Sequence, residues 1–212
     1  MMKKYKLTNE TITIKDGTVL HRIKALKSFD NVTKGDLGGW IEKEDNLSHN
    51  GNAWVYDDAR VYGNAYVCDN AKVYYDACVY GNAKLYDNAR VFDNAKVYDN
   101  SWVYNYAKVC DYTKIYGNAC VGGKACVGSK ARVYGNAKVY GNTIIYNNAR
   151  VYGKARVYDD ARIYDNAWIY DNACVGSKAC VGGNTRVYEN ARVYSNACIL
   201  DGHIIDKVFL SH

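Results

Sequence analysis

Few side chains in this sequence can move protons, ligate metals or attack carbonyls, and they are unevenly placed. Of the four histidines, His21 and His49 precede a long repetitive tract, while His203 and His212 fall at its end or beyond it. A general base must sit beside the bond it serves, and these positions read as cap or surface residues. Eight cysteines are present, but none shows the C-x2-C spacing of a zinc site; Cys120 and Cys126, like Cys174 and Cys180, are six apart. A chain this long and repetitive needs no disulfide staples, so the thiols are read as reduced and structural. Aspartates recur in pairs such as Asp57-Asp58 and Asp159-Asp160 beside Asn and Gly, which is turn chemistry rather than a cation site. No glycine run forms a phosphate loop. The expectation is a protein without catalytic residues, metal or cofactor.

The elements that position these residues follow from one period. From Val55 to Ile199 every sixth residue is aliphatic without a skip, and from Ala59 to Ala197 the residue four further on is alanine except at Ser101, Thr113, Thr143 and Thr185. The consensus is V-Y-(G/D)-N-A-(R/K). In an extended Ala-Arg-Val-Tyr stretch, side chains alternate, so Ala and Val share one face and Arg and Tyr the other. The Gly-Asn or Asp-Asn pair tolerates left-handed backbone and makes a corner. A helix is excluded, because period six keeps no apolar stripe on a 3.6-residue turn. The absence of proline agrees with an unbroken strand ladder.

This pattern resembles the hexapeptide-repeat family: an aliphatic residue, two or three freer positions, then a small one, over residues 55–204 with no inserted loop. The resemblance implies an all-β, left-handed parallel β-helix, a triangular prism of 18 residues per coil and about eight coils. Residues 1–46 have the wrong period and read as an N-terminal cap. In it Thr11 to Ile14, the turn Lys15-Asp16-Gly17 and Thr18 to Leu26 form a β-hairpin, and Lys34 to Ile41 leads into the coil. Residues 47–204 are the β-helix and 205–212 a C-terminal cap, with Phe209 and Leu210 over the last rung. Acyltransferases of this fold rely on a coil histidine and a projecting loop, and its carbonic-anhydrase relatives on three histidines. Neither set is found, and His203 counts to an inward, small-residue position.

Counting in eighteens places Tyr62, Tyr80, Tyr98, Tyr116, Tyr134, Tyr152, Tyr170 and Tyr188 in one outward column. Beside it run Arg60, Cys78, Lys96, Lys114, Arg132, Arg150, Trp168 and Arg186. Where Lys96, Tyr98, Lys114, Tyr116, Arg132, Tyr134, Arg150 and Tyr152 run together, stacked cations repel and phenols offer stacking and donors, which suits an anionic partner. Ring packing alone is the competing reading. A second candidate is the near-copy of Ala119–Lys130 at Ala173–Asn184, three coils on. There Gly122 and Gly176 replace tyrosine, and two shallow notches are expected beside Lys124, Lys130 and Lys178. Cys180 and Cys198 stack eighteen apart.

The net charge of +6 permits an acidic partner without demanding one. No apolar run reaches a membrane span, and no apolar stretch follows the basic start, so the expected location is the cytoplasm. The Lys34–Glu42 stretch and the Asn-Ala-Arg-Val-Tyr repeats resemble repeat proteins of bacteriophages and prophages. That resemblance implies a non-enzymatic accessory protein in the host cytoplasm, binding a host protein or sequestering an anionic, nucleotide-like ligand as a counter-defence inhibitor. A structural or assembly rod is the alternative, and a degenerate acyltransferase relative the third reading. Nucleic acid is a less favoured partner. Relatives of this fold trimerise, so a homo-oligomer is expected.

Overall fold

In a two-residue strand such as Arg132–Val133 the valine turns inward and the arginine outward, and this alternation repeats from Trp54–Val55 to Cys198–Ile199. The computed structural model describes residues 3–205 and the backbone of Val208–Ser211. Its strands hydrogen-bond into one twelve-stranded and two nine-stranded sheets, with parallel neighbours from Trp54 to Ile199 eighteen residues apart, as in Lys114↔Arg132. The result is the expected left-handed parallel β-helix. We call the sheet containing Arg60–Val61 face I, that of Trp54–Val55 face II and that of Tyr66–Val67 face III. Every repeat valine or isoleucine from Val55 to Val193 is fully buried, as are the small residues facing it, including Ser101, Thr113, Thr143 and Thr185.

The corners divide their work. Only the first residue of each corner pair takes the left-handed region, as at Asp99 (φ 57), Gly117 (φ 69) and Gly135 (φ 70). Its carboxylate, where it is Asp, accepts the corner amide of the next coil, as Asp99 does from Gly117 N at 3.0 Å. The second residue earns its place differently. Asn64, Asn82, Asn100, Asn118 and Asn136 pass side-chain amide hydrogen bonds up one corner at 3.0–3.3 Å. The asparagines therefore cross-link coils rather than merely tolerating the turn. Val133→Ala removes buried methyls from a rung with no exposed inward neighbour. It is expected to lower stability by about 1.5–3 kcal/mol, read as a reduced urea midpoint at unchanged slope.

At the N-terminus β1 (Tyr5–Thr13) and β2 (Val19–Ala25) form the expected antiparallel hairpin, and β3 (Leu37–Ile41) pairs antiparallel with β2. β3 also pairs parallel with Arg60–Val61, so the ladder reaches back into the segment assigned to the cap. The Gly38-Gly39 pair permits this closure: a Cβ at Gly38 would lie 2.6 Å from the Val55 oxygen, and one at Gly39 2.6 Å from the Ala59 oxygen. Trp54 fills the junction, edge-on to Tyr5 (6.1 Å) and Phe29 (5.4 Å). Beneath it the buried Lys4 ammonium donates to the Ala53 oxygen at 2.7 Å, and desolvation lowers its pKa to about 8.

At the other end the backbone of Val208–Ser211 continues face III beside Arg192–Ser195. The expected cover by Phe209 and Leu210 concerns side chains outside the described residues, and so does His212. Among the described residues, no helix is long and apolar enough to cross a membrane.

Candidate functional site on face I

The column of tyrosines exists as counted. From Tyr62 to Tyr188, successive rings on face I lie nearly parallel, 1–4° apart, with centroids 4.8–5.1 Å apart. The strand spacing of a β-ladder imposes that separation on any side chain repeated every coil. Mutual packing desolvates the phenols, raising Tyr62, Tyr80, Tyr98 and Tyr152 to about 12. Their hydroxyls therefore remain proton donors at neutral pH.

The neighbouring column places Lys96, Lys114, Arg132 and Arg150 on consecutive, directly paired rungs. Lys96 and Arg132 are exposed, and Lys114 and Arg150 half-buried. None of the four makes a salt bridge among the described residues. Arg150 and Arg186 lie on either side of Trp168, their guanidinium carbons 4.7 and 4.8 Å from its ring. The sequence candidates Lys96, Tyr98, Lys114, Tyr116, Arg132, Tyr134, Arg150 and Tyr152 are thus brought together on one surface.

The surprise on this face is His203. The final step of the repeat, from Ile199 to Ile204, is one residue short, and His203 pairs with Arg186 while Ile204 pairs with Val187. Counting six from Ile199 put His203 inward; the shortened step turns it outward, exposed, at the end of the cation column. Its ring stands edge-on to Tyr188, 6.1 Å between centroids. The only sequence signal was that five-residue step. The reading that no histidine lies on the coil is corrected accordingly. His21 and His49 do belong to the cap: His21 Nδ1 lies 3.3 Å from the Thr8 oxygen, and His49 stacks on Tyr5 and accepts the Lys4 amide at 3.2 Å.

At the opposite end of face I the turn of the hairpin leans over the coil. Residues 12–16 and Arg60, Tyr62, Cys78 and Lys96 line a cleft of about 490 Å³. The hairpin, read as a cap, is also a projecting wall. Burial outweighs Arg60 and Lys96 at Cys78 and pushes the thiol pKa up, so it stays protonated.

The expected notches are filled. Gly122 and Gly176 are buried, because Tyr104 and Tyr158 of the preceding coil lie across them; an added Cβ would come 2.3 and 2.5 Å from those rings. A glycine in the tyrosine column leaves room that the ring below takes up. Lys124, Lys130 and Lys178 are exposed at the corners as expected. Lys130 lines a shallow groove of about 650 Å³, which it shares with Asp111 and Asp165, and Lys178 lines one with Asp159 and Asp160. Carboxylates in both grooves offset the lysines. Of the two candidate surfaces, face I stacks four cations on consecutive rungs, with the Asp16 carboxylate in the cleft beside Lys96.

One pairing was missed altogether. Cys110 and Cys126 lie on adjacent rungs of face II, and the Cys110 thiol donates to Asp111 Oδ2 at 3.5 Å and to the Val127 oxygen at 3.7 Å. The other vertical pair, Cys180 and Cys198, is in register, and all eight cysteines are free thiols.

Residues 131–145, 145–159 and 155–171 match a family model described as the YdcK β-solenoid repeat. A stretch of 67 residues, 28% of the chain, is 37% identical to the protein named "Uncharacterized acetyltransferase YdcK" of Escherichia coli (strain K12). The chain spans about a fifth of that relative's length, 21%. Among solved structures, the UDP-N-acetylglucosamine acyltransferase of Francisella novicida aligns over 72% of this chain and 62% of its own, at 15% identity and a TM-score of 0.32. The expectation of a non-enzymatic protein does not stand. The relative carrying these repeats is named an acetyltransferase, and the premise of a coil without histidine fails at His203.

Proposed function

We propose that this chain is an acyltransferase-type β-helix protein that binds an anionic, phosphorylated acyl donor along face I, with His203 as the candidate general base. The observation that supports this most is an outward histidine at the end of a row of cations and tyrosines. From Arg150 to His203 is three rungs, about 14 Å at ~4.8 Å per strand. An elongated thioester donor such as acetyl-coenzyme A can lay its phosphates against Arg132 and Arg150 and bring its carbonyl toward His203. Charge-assisted bonds from guanidinium to phosphate, and phenol donors beside them, suit that ligand.

The chemistry requires one proton transfer. A neutral His203 ring nitrogen takes the proton of an acceptor amine or hydroxyl as it attacks the thioester carbonyl. The carbon–sulfur bond then breaks, and the leaving thiolate recovers the proton. A phage-borne setting, implied by the resemblance of the Lys34–Glu42 stretch, is independent of this reading, since the same face would take the same ligand.

Calorimetric titration with coenzyme A, and thiol release from acetyl-coenzyme A with a panel of amine and sugar acceptors, test the proposal. Lys114→Glu with Arg132→Glu should weaken coenzyme A binding roughly tenfold or more and flatten its salt dependence. His203→Ala should leave binding intact and slow transfer by about 10²–10⁴-fold. Absence of coenzyme A binding to the unaltered chain, or transfer that survives His203→Ala, overturns it.

A further inference from the structure

The cation column of face I is interrupted near its start. Arg60, Cys78 and Lys96 occupy directly paired rungs, so a short thiol stands between two long cationic side chains. Arg60 and Lys96 are two rungs apart, about 10 Å at ~4.8 Å per strand, and the space above Cys78 lies between them. The tip of the hairpin closes over that space and makes the cleft of about 490 Å³. A concave volume of that size suits a small organic molecule.

The hairpin tip is a fixed wall. The Ile14 amide donates to the Thr18 oxygen at 3.0 Å, and the Gly17 amide to the Ile14 oxygen at 2.9 Å. Asp16 Oδ1 accepts the Thr18 amide at 2.9 Å, which holds the carboxylate in place and leaves its second oxygen for another donor. Ile12 and Ile14, both half-buried, add apolar surface to the lining.

The cations of the cleft are unmatched. Elsewhere between cap and coil, carboxylates meet the basic side chains: Lys3 pairs with Glu44, Arg22 with Asp58 and Lys72 with Asp30. Arg60, Lys96 and Lys15 make no salt bridge among the described residues. The buried Nε of Arg60 has no hydrogen-bond partner either, an unusual state for a buried donor. Tyr62, the first ring of the column, brings a phenol that stays protonated and able to donate. Three cations therefore face one carboxylate, Asp16, across a cavity with apolar surface on one wall.

We propose that this cleft binds a hydroxyl-bearing phosphate monoester of the sugar phosphate class, its phosphate held between Arg60 and Lys96 and its hydroxyls turned toward Asp16. Guanidinium and ammonium donors give phosphate oxygens charge-assisted hydrogen bonds. An ionised carboxylate only accepts, so Asp16 favours a hydroxylated ligand and opposes a bare phosphate ion. Ile12 and Ile14 meet the carbon skeleton. The site is independent of the acyl-donor reading. From Lys96 to His203 is six rungs, about 29 Å at ~4.8 Å per strand, so a molecule in the cleft lies out of reach of that histidine.

The full chain is titrated calorimetrically with ribose 5-phosphate, inorganic phosphate and adenosine 5′-monophosphate, and amide shifts of the isotope-labelled chain locate what binds. The expected result is one ribose 5-phosphate per chain, bound roughly tenfold or more tighter than inorganic phosphate, with shifts centred on residues 12–16, 60–62 and 96. Arg60→Gln and Lys96→Gln should each weaken binding by roughly tenfold or more, with an unchanged far-ultraviolet spectrum, since both side chains face outward. Asp16→Asn should narrow the gap between ribose 5-phosphate and inorganic phosphate. Lys138→Gln, which alters an exposed cation on face III, is the control and should have no effect. Adenosine 5′-monophosphate binding as tightly, with the same shifts, would identify a nucleotide as the source of the same ester. No binding, shifts centred on residues 114–150, equal affinity for inorganic phosphate, or equal loss in Lys138→Gln would each overturn the site.

Discussion

Replacing Trp54 with alanine is expected to cost about 3–5 kcal/mol and to release the N-terminal cap from the coil. Trp54 is 1% exposed, the largest fully buried side chain among the described residues, and its ring meets Tyr5, Phe29 and the Gly38 backbone at once. Solenoids are stabilised rung by rung through nearest neighbours, so damage at one end need not unfold the other. Hydrogen exchange should therefore show lost protection in β1 to β3 with the amides from Lys96 to Val193 still protected. The freed variant should also self-associate, because an uncapped parallel coil exposes a row of unpaired strand groups. Uniform loss of protection along the whole chain would show instead that the prism is one cooperative unit.

Alkali should unfold the protein through its tyrosines. Tyr62, Tyr80, Tyr98 and Tyr152 are held at about 12 in the folded chain by desolvation, against an ordinary value of 10.0. Below pH 10 both states keep their phenol protons, and the stabilisation is fully present. Between about 10 and 12 the unfolded chain ionises and the folded one does not, so stability falls across that window. Lys4 acts in the opposite sense. Its folded pKa is lowered from 10.5 to about 8, so the unfolded state holds more protons between those values and stability rises there. Urea midpoints should climb modestly from pH 8 toward 10 and drop steeply beyond it. The phenols of Tyr62, Tyr80, Tyr98 and Tyr152 should ionise together with the loss of β-structure rather than at pH 10. Ionisation of Tyr98 or Tyr152, followed through its own ring resonances, near pH 10 in a chain still folded would show that the ring column is solvated. Tyr98→Phe with Tyr152→Phe, which keeps the rings and removes two of the raised hydroxyls, should soften the drop.

The coil and its columns were legible in the sequence because they depend on local alternation. An aliphatic residue every sixth position, with a small partner four on, specifies which side chains enter the prism. Once eighteen residues make a coil, stacking on face I follows by arithmetic, and the pairings from Lys96 to Arg150 are those counted. Counting fails where geometry is set between coils. One residue missing from the last step turned His203 from an inward to an outward position, since slipping a strand by one residue exchanges its two faces. The notches at Gly122 and Gly176 vanished because a ring takes its direction from the free space beside it, and Tyr104 and Tyr158 found that space on the next rung. Periodicity determines which face a side chain occupies; only the packed neighbours decide where its end atoms come to rest, and chemistry happens at those atoms.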